Sequence, residues 1–234
     1  MKLRTLEDTD VYKKTVLYRS AYDIGVKMMA DGGYVIKDDS RIRASIKTLE
    51  YLIKNQCKIV IVTFVKRPDG KVVESLRTGP HAKALSALLD KPVKKADDCV
   101  GENVRKMISD LRWGELLMLE NTRFHPEEMV DDDTFAKELT KGCDLVVFDG
   151  FPQAHRAHAS TTGILRHLPS CAGFYLQSEV EALLKLVDAP ERPFTIVVGG
   201  EKISDKIDAI NNLYEMADNV LVGGGVANVF MKAK

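Results

Sequence analysis

Long hydrophobic runs, paired cysteines and a surplus of charge of either sign are all missing from this sequence. No apolar stretch approaches the roughly 18 residues of a membrane-spanning helix, and the N-terminal MKLRTLEDTD resembles neither a secretory leader nor a transit peptide. Basic and acidic residues both number 34, so no overall field directs the chain towards nucleic acid or an anionic membrane. These absences predict a cytoplasmic protein in which any anion site is local.

The cysteines carry no motif. Cys57, Cys99, Cys143 and Cys171 are scattered, and no CxxC pair suggests zinc or a redox couple. We interpret them as reduced packing residues. With 45% apolar residues in 234, the chain is long enough for one large or two smaller domains with their own cores.

Short apolar runs alternate with amphipathic segments. The runs are typical of strands buried on both faces and lie at 14–18, 58–63, 115–119, 144–148, 194–198 and 219–222. Helical patterns lie at 41–55, 81–90, 102–111, 133–141, 177–188 and 204–217. Such alternation predicts an α/β fold with a doubly wound, mainly parallel sheet. Ligands should then bind at the carboxyl ends of the strands.

The chain divides near a helix that ends in a proline-flanked exit, DAPERP. We predict a first α/β domain over 1–176, a connecting helix over 177–190, and the beginning of a second α/β domain over 191–234. The last segment has only two strands and two helices, too few for a stable sheet domain by itself.

Basic side chains follow three successive buried strands. Lys66 and Arg67 come after the second, Arg123 after the third, and Arg156 after the fourth. Because parallel strands end at one edge of a sheet, these groups should converge there. Guanidinium forks donate two parallel hydrogen bonds and stay charged, so the pattern predicts a site for phosphate or carboxylate.

The stretch GFPQAHRAHAST, residues 150–161, admits three interpretations. A metal site would need further ligands near His155 and His158, and the neighbouring sequence supplies none. A catalytic dyad would need a nucleophile, for which Ser160 and Thr161 are candidates. They fit equally well as the cap of a following helix, whose N–H groups favour anions. We favour an anion cradle, with the histidines as packing or hydrogen-bonding partners.

Two glycine-rich turns follow the last two strands. VVGGEKISDKI supplies Gly199 and Gly200 and then Lys202 and Lys206 on one helical face. LVGGGVANVF opens another helix. Strand, glycines and helix together let backbone amides approach phosphates closely, although neither stretch matches a standard nucleotide fingerprint.

Taken in order, eight motifs make this sequence resemble the phosphoglycerate kinase family. They are DDSRIRASIKTLEYL, RPDGK, ADDCVGENV, LLMLENTRFHPEE, FAKELTKGCD, AHRAHASTTGI, GGEKISDKI and GGGVANVFMKA. The resemblance covers essentially the whole chain. It implies a first domain that binds 3-phosphoglycerate or 1,3-bisphosphoglycerate and a second that binds ATP or ADP with magnesium. In the family the nucleotide domain extends beyond the last of these motifs, so we expect this chain to be truncated.

The resemblance also implies roles for individual residues. The residues that bind the substrate 3-phosphoglycerate would be Arg19, Asp23, Arg67, Arg123 and Arg156. Arg41 and Lys202 would neutralise the phosphoryl group during transfer. The nucleotide would be bordered by Gly199, Gly200, Lys202, Lys206, Gly224 and Gly225. No protein metal ligand is implied.

Several positions depart from the family pattern. RSAYD replaces RVDFN, so the carboxylate of Asp23 stands where an amide is usual and would oppose the carboxylate of the acceptor. TFVKRP replaces SHLGRP, which places Phe64 at a histidine position and Lys66 at a glycine position. Pro152 and Gln153 replace a Gly-Thr pair, and Glu201 precedes Lys202 where a small residue is usual.

Three functions remain open at this stage. The first is a phosphotransferase that moves a phosphoryl group between ATP and the carboxylate of 3-phosphoglycerate in glycolysis, with weak or no activity in this chain alone. The second is a shortened, non-catalytic paralogue that binds phosphorylated small acids or a partner protein. The third is a structural or assembly protein in which a partner completes the exposed half-sheet. A complementing C-terminal half or a second copy of the chain would be the expected partner, because unpaired sheet edges favour association.

Overall fold

Most of the chain forms one parallel sheet wrapped by helices. The computed structural model describes residues 3–188, 190–200 and 207–233, apart from the side chains of 207–209 and 233. The described strands are β1 (Thr15–Arg19), β2 (Val26–Met28), β3 (Tyr34–Ile36), β4 (Lys58–Val62), β5 (Val93–Lys95), β6 (Leu116–Met118), β7 (Leu145–Phe148), β8 (Ser170–Ala172), β9 (Thr195–Val198) and β10 (Asn219–Val222).

Helices connect most of these strands. They are α1 (Ser40–Lys54), α2 (Gly79–Leu89), α3 (Glu102–Ser109), α4 (Asp133–Thr140), α5 (Ile164–His167), α6 (Phe174–Asp188), α7 (Ile207–Tyr214) and α8 (Gly224–Ala233). The main sheet has the order β5-β6-β4-β1-β7-β8, and each of its pairings is parallel. The predicted α/β class with a mainly parallel, doubly wound sheet is confirmed.

The core lies on both faces of this sheet because the strand side chains alternate. Tyr18 of β1 and Ile61 of β4 belong to a cluster under α1 and α2. Leu17 and Val62 point to the other face, where a second cluster contains Ala159. Full burial of each such aliphatic side chain contributes about 1.5–3 kcal/mol. Buried on both faces, the central strands hold their carboxyl ends in fixed register.

Three elements of the sheets were missed from sequence. The edge strands β5 and β8 have three residues each, too short for a periodic signal. A small antiparallel hairpin, β2 with β3, also escaped prediction, since its turn leaves Met28 largely exposed. Hydrophobic periodicity finds long buried strands, whereas β2, β3 and β5 contain no buried residue and β8, although mostly buried, has only three residues.

Contacts divide the chain into two compact units, Met1–Glu179 and Val180–Lys234. In the second unit β9 and β10 pair in parallel, and α8 begins directly after β10. This strand-turn-helix order lies in the segment where we predict the beginning of a second α/β domain, and that assignment stays a prediction. The placing of the boundary around a connecting helix over 177–190 stays a prediction.

Candidate functional site

The arginines of the candidate site lie at or after the carboxyl ends of β1, β4, β6 and β7. β1 itself ends at Arg19, and Arg19 is buried at the foot of the site. Its Nε donates to the carbonyl oxygen of Ser160 at 2.9 Å, and its Nη1 donates to the carbonyl of Ser20. Burial lowers the pKa of Arg19 to about 10, while the charge of Glu128 opposes that shift. Arg19 therefore remains cationic near neutral pH, and its Nη2 has no partner among the described residues.

Arg123 is the second buried guanidinium. It is 3% exposed, and its Nη1 donates to the carbonyl of Lys66. Its Nε and Nη2 are buried without a hydrogen-bond partner among the described residues. An unpaired buried donor costs roughly 1–3 kcal/mol, and more when it is charged. Such donors are explained if an anionic ligand accepts from them.

Phe64 lies against both arginines. The guanidinium carbon of Arg123 is 3.7 Å from the centre of the Phe64 ring, and that of Arg19 is 4.9 Å from it. The His158 ring lies 5.8 Å from the same ring. Cation–π attraction contributes about 0.5–2 kcal/mol to each pair. The aromatic ring that stands at a family histidine position thus holds two cations side by side.

Arg67 and Arg156 complete a group of cations around Arg123. Burial lowers the pKa of Arg123, and the charges of Arg156 and Arg67 lower it further, which places both side chains close to it. Arg67 is exposed and Arg156 half-buried. Neither side chain forms a hydrogen bond or ion pair within the described ranges. The three arginines predicted to converge are thus near enough for the charges of Arg67 and Arg156 to act on Arg123, and that they bind one ligand stays a prediction.

The pKa of His158 is also lowered by this group of arginines. Burial lowers its pKa from 6.5 to about 4, helped by the positive charges of Arg123, Arg156 and Arg19. The ring is therefore neutral at pH 7. His155 is exposed, so only one of the two histidines has the supporting position expected of both.

Acid should destabilise the chain through His158. A folded-state pKa below the unfolded value means that the native state binds fewer protons, so stability is lost as pH falls through the window from 6.5 to about 4. The loss should reach about 3 kcal/mol at the lower end. Urea unfolding at several pH values should show a shallower dependence for His158→Gln. His155→Gln should keep the original dependence, and equal slopes for all three proteins would contradict this assignment.

Glu128 corrects the predicted helix cradle. Its carboxylate accepts from the Ser160 amide at 2.9 Å and from the Ser160 hydroxyl at 2.6 Å. The prediction that free N–H groups after His158 bind the anion is therefore wrong, because this buried carboxylate already occupies the Ser160 donors. Residues 159–163 form a π-helical turn, and the α-helix that follows has only four residues.

Asn121 is a positioning residue that sequence reasoning missed. Its side-chain oxygen accepts from the Val65 amide at 3.0 Å and from the Arg123 amide at 3.2 Å. Its amide nitrogen donates to Val65 at 2.9 Å and to Leu76 at 3.0 Å. The side chain thus joins the loops after β4 and β6. The only signal in the sequence was its place just after an apolar strand.

Asp23 contacts both Arg41 and the loop after β4. Arg41 Nη1 donates to the Asp23 carbonyl at 2.9 Å, and an Asp23 carboxylate oxygen accepts from the Lys66 amide at 2.8 Å. The carboxylate expected to face an acceptor molecule therefore has a second task, which is to position the loop after β4. Arg41 begins α1 and is half-buried.

Lys66→Gly should stabilise the chain. Lys66 has a φ of +54°, in the left-handed region where a side chain costs about 1 kcal/mol. Glycine adopts this conformation without that cost, so the free energy of unfolding should rise by up to about 1 kcal/mol. Lys71→Gly, at an exposed position with negative φ, should lower it instead. Urea denaturation measures both, and a fall for Lys66→Gly would show that φ is not strained there.

Glycine turns follow β9 and β10 in the second unit. Gly223 donates its amide to Val198 at 2.9 Å, and Gly224 has a φ of +62°. A Cβ on Gly224 would lie 3.1 Å from the carbonyl oxygen of Gly200, so only glycine permits this approach. The predicted turn that opens a helix is present, with α8 starting at Gly224; Gly225 follows within α8, and Gly199 precedes Gly200 at the end of β9. Lys202 and Lys206 lie outside the described residues.

The fold and the site define a class of protein. The chain is an α/β protein with a doubly wound parallel sheet, and within the described part of the chain buried guanidinium groups with unpaired donors lie at the carboxyl edge of that sheet. A family model described as phosphoglycerate kinase matches residues 6–234. The chain belongs to the phosphoglycerate kinase family.

Individual relatives agree with the family match. The phosphoglycerate kinase of Moorella thermoacetica is 45% identical over 98% of this chain, which covers 57% of that protein. That of Pelotomaculum thermopropionicum is 43% identical over the whole chain, which covers 58% of it. The chain therefore spans little more than half the length of these relatives.

Solved structures show the same relationship. The crystal structure of phosphoglycerate kinase from Pyrococcus horikoshii OT3 matches with a TM-score of 0.84 at 36% identity, over 99% of this chain and 57% of that one. The phosphoglycerate kinase structure from Coxiella burnetii matches with a TM-score of 0.82 at 32% identity, with the same coverage.

None of the helices that our structure describes combines the length and apolar character that crossing a bilayer would require.

Proposed function

We propose that this chain carries the acceptor-binding part of a phosphotransferase that moves a phosphoryl group between ATP and the carboxylate of 3-phosphoglycerate. The observation that supports it most strongly is that Arg19 Nη2, Arg123 Nε and Arg123 Nη2 are buried and find no hydrogen-bond partner in the part of the chain that the structure describes. A phosphate ester presents several oxygens that accept from such forks, and Arg67 and Arg156 add charge around it.

The residue types suit this chemistry. An ionised carboxylate is already a nucleophile, so the reaction needs no general base and depends on positioning and charge stabilisation. Arg41, at the start of α1, would stabilise the charge of the phosphoryl group in transit, and the family resemblance gives Lys202 the same role. Phe64 and Asn121 would act indirectly, by positioning Arg123.

The nucleotide side is assigned to the second unit. Gly199, Gly200, Gly224 and Gly225 would border the phosphates, with Lys202 and Lys206 as cationic partners. Glycines at the ends of two parallel strands fit such a role, because a ligand can approach their backbone closely. When bound, ATP with magnesium supplies the phosphoryl group and neutralises part of its charge. Because this is a reaction of central carbon metabolism, we place the protein in the cytoplasm.

A coupled assay tests the proposal. The rate of 1,3-bisphosphoglycerate formation should be measured for this chain alone and for the chain mixed with a separately expressed C-terminal half of a relative. Calorimetric titration with 3-phosphoglycerate should run in parallel. Turnover by the chain alone or by the mixture supports the phosphotransferase. Absence of both turnover and 3-phosphoglycerate binding overturns it.

Binding without turnover would favour a non-catalytic module. Exposed apolar side chains in the second unit are the observation on its side, since Val197, Leu221 and Met231 are each more than half exposed. Large apolar groups that recur on one unit are typical of an association surface. Size-exclusion chromatography would show whether a second copy or a complementing half covers them.

A further inference from the structure

Three side chains with different donor atoms meet outside the arginine site. Asp98 and Cys99 lie in the loop after β5, and His125 lies in the loop after β6, 27 residues beyond Asp98. One ligand atom from each, a carboxylate oxygen, a thiol sulfur and an imidazole nitrogen, lies within 4.8 Å of the other two. The sequence hides this group because its members come from separate strand ends.

The contacts in the group leave it preformed. His125 Nε2 and Asp98 Oδ1 share a hydrogen bond of 2.7 Å, and the same oxygen accepts from the Cys99 amide at 2.6 Å. The His125 ring also packs on Phe135, with ring centres 5.0 Å apart. The loops are thus already joined and the imidazole is already oriented, so little ordering would accompany ligand binding.

The spacing suits a small divalent ion. Zinc bonds of about 2.0–2.3 Å at tetrahedral angles set neighbouring ligand atoms roughly 3.3–3.6 Å apart. The shared hydrogen bond would open by about 0.6 Å, and the widest separation would close by at most about 1.3 Å. Asp98 and His125 are 52% and 28% exposed, so an ion can enter from solvent, whereas Cys99 is buried beneath them.

The donor set selects the class of metal. Thiolate, imidazole and carboxylate together favour Zn²⁺ and its neighbours in the transition series, whereas Mg²⁺ and Ca²⁺ prefer oxygen ligands alone. Three protein ligands leave a fourth position for water. We propose that Asp98, Cys99 and His125 form a zinc-type metal site that joins the loops after β5 and β6.

The consequence of occupancy is local stabilisation. Because a bound ion favours the folded state by mass action, saturating zinc should raise the melting temperature. The thiol must lose its proton to become a ligand, so affinity should fall as the pH is lowered. His125 lies two residues after Arg123 in the sequence, so an ion bound to His125 would also restrain the loop that carries this arginine.

Cobalt spectroscopy tests the site directly. Titration of the tag-free chain with Co²⁺ should give one equivalent bound and a near-ultraviolet thiolate-to-metal charge-transfer band, and Zn²⁺ should displace it. Cys99→Ser should lose the band, and Asp98→Asn and His125→Gln should each weaken Zn²⁺ binding by about 10- to 100-fold or more. Asp98→Asn changes an exposed carboxylate, so it should stay folded and keep the test valid if another variant does not.

Cys143→Ser is the matched control, because it removes a partly buried free cysteine outside the group. This variant should bind both metals as the unchanged chain does. A cobalt complex without the thiolate band, equal zinc affinity for Cys99→Ser, or loss of binding in Cys143→Ser would each overturn the proposal. None of these measurements needs substrate, so their outcome is independent of the phosphotransferase.

Discussion

Arg123→Met is expected to weaken binding of 3-phosphoglycerate by about 30- to 1,000-fold. The substitution keeps an unbranched stem that packs on Phe64 but removes the guanidinium group, whose Nε and Nη2 are buried and have no partner among the residues described. Losing one side of a buried, charged hydrogen-bonded pair costs roughly 2–4 kcal/mol, which corresponds to that change in affinity. Isothermal titration with 3-phosphoglycerate measures it.

Two further variants sharpen this result. Arg112→Met, at a side chain 88% exposed, should leave the affinity unchanged. Arg123→Lys should recover only part of the loss, because a single ammonium cannot donate as a planar fork. The melting temperature of Arg123→Met should change little, because removing two buried donors that lack partners among the described residues offsets the lost hydrogen bond to Lys66 and the lost cation–π contact with Phe64. Unchanged affinity in a folded Arg123→Met variant would show that the guanidinium group of Arg123 does not bind 3-phosphoglycerate.

Asp149→Ala should lower the free energy of unfolding by about 3–5 kcal/mol. One Asp149 carboxylate oxygen accepts from the Tyr18 hydroxyl at 2.9 Å and from the Thr48 hydroxyl at 2.8 Å, and the other accepts from the Leu176 amide at 2.8 Å. Removal leaves three donors without an acceptor in the interior. Because Leu176 lies in the first turn of α6, the start of that helix should loosen as well. Urea denaturation and amide exchange measure the two effects.

The same strand offers a matched control. Asp144 precedes β7 as Asp149 follows it, and its exposed carboxylate accepts from the Thr15 amide at 2.7 Å. Asp144→Ala should cost about 1 kcal/mol or less, because water replaces the lost acceptor. Asp149→Asn should fall between the two, since an amide can still accept from Tyr18 but its nitrogen cannot accept from an N–H. Equal losses for both alanine variants would contradict the burial argument.

Gly173→Ala approaches the same carboxylate from the other side. A Cβ at this position would lie 2.3 Å from Asp149 Cγ, closer than atoms can pack. Because three hydrogen bonds hold that carboxylate, the backbone must shift instead, which costs about 1–3 kcal/mol or more. A stable Gly173→Ala variant would mean that Asp149 is free to move.

The buried strands were the easiest part of the fold to predict. β4 and β7 fall within one or two residues of the predicted runs, because a strand covered on both faces must be apolar throughout. The edge strand β5 contains two lysines in three residues, and no periodicity distinguishes it from a loop. Helix ends also differ from the prediction. The sequence predicts a helix from residue 177, whereas α6 begins at Phe174, because Asp149 and Thr48 accept hydrogen bonds from amides of its first turn.

The candidate site divides in the same way. Arg67, Arg123 and Arg156 could be named from the sequence because each follows a strand of one parallel sheet, and parallel strands end together. The roles of Glu128 and Asn121 could not, because each acts on loops that only the fold brings near. Nor could the sequence show that Phe64 lies against two guanidinium groups, since its partners come from β1 and from the loop after β6.

Local pattern alone determined the alternation of buried strands with helices, the parallel class of the sheet and the edge where the arginines were expected, because hydrophobic period is a property of neighbouring residues. Only the tertiary structure decided which donors are left unpaired and which are already taken. In the folded chain Glu128 accepts from the Ser160 donors, and two donors of Arg123 have no partner among the described residues. Asp98, Cys99 and His125 lie close together. Hydrogen bonds are saturable and short-ranged, so their final partners depend on distances that exist only after the chain has folded.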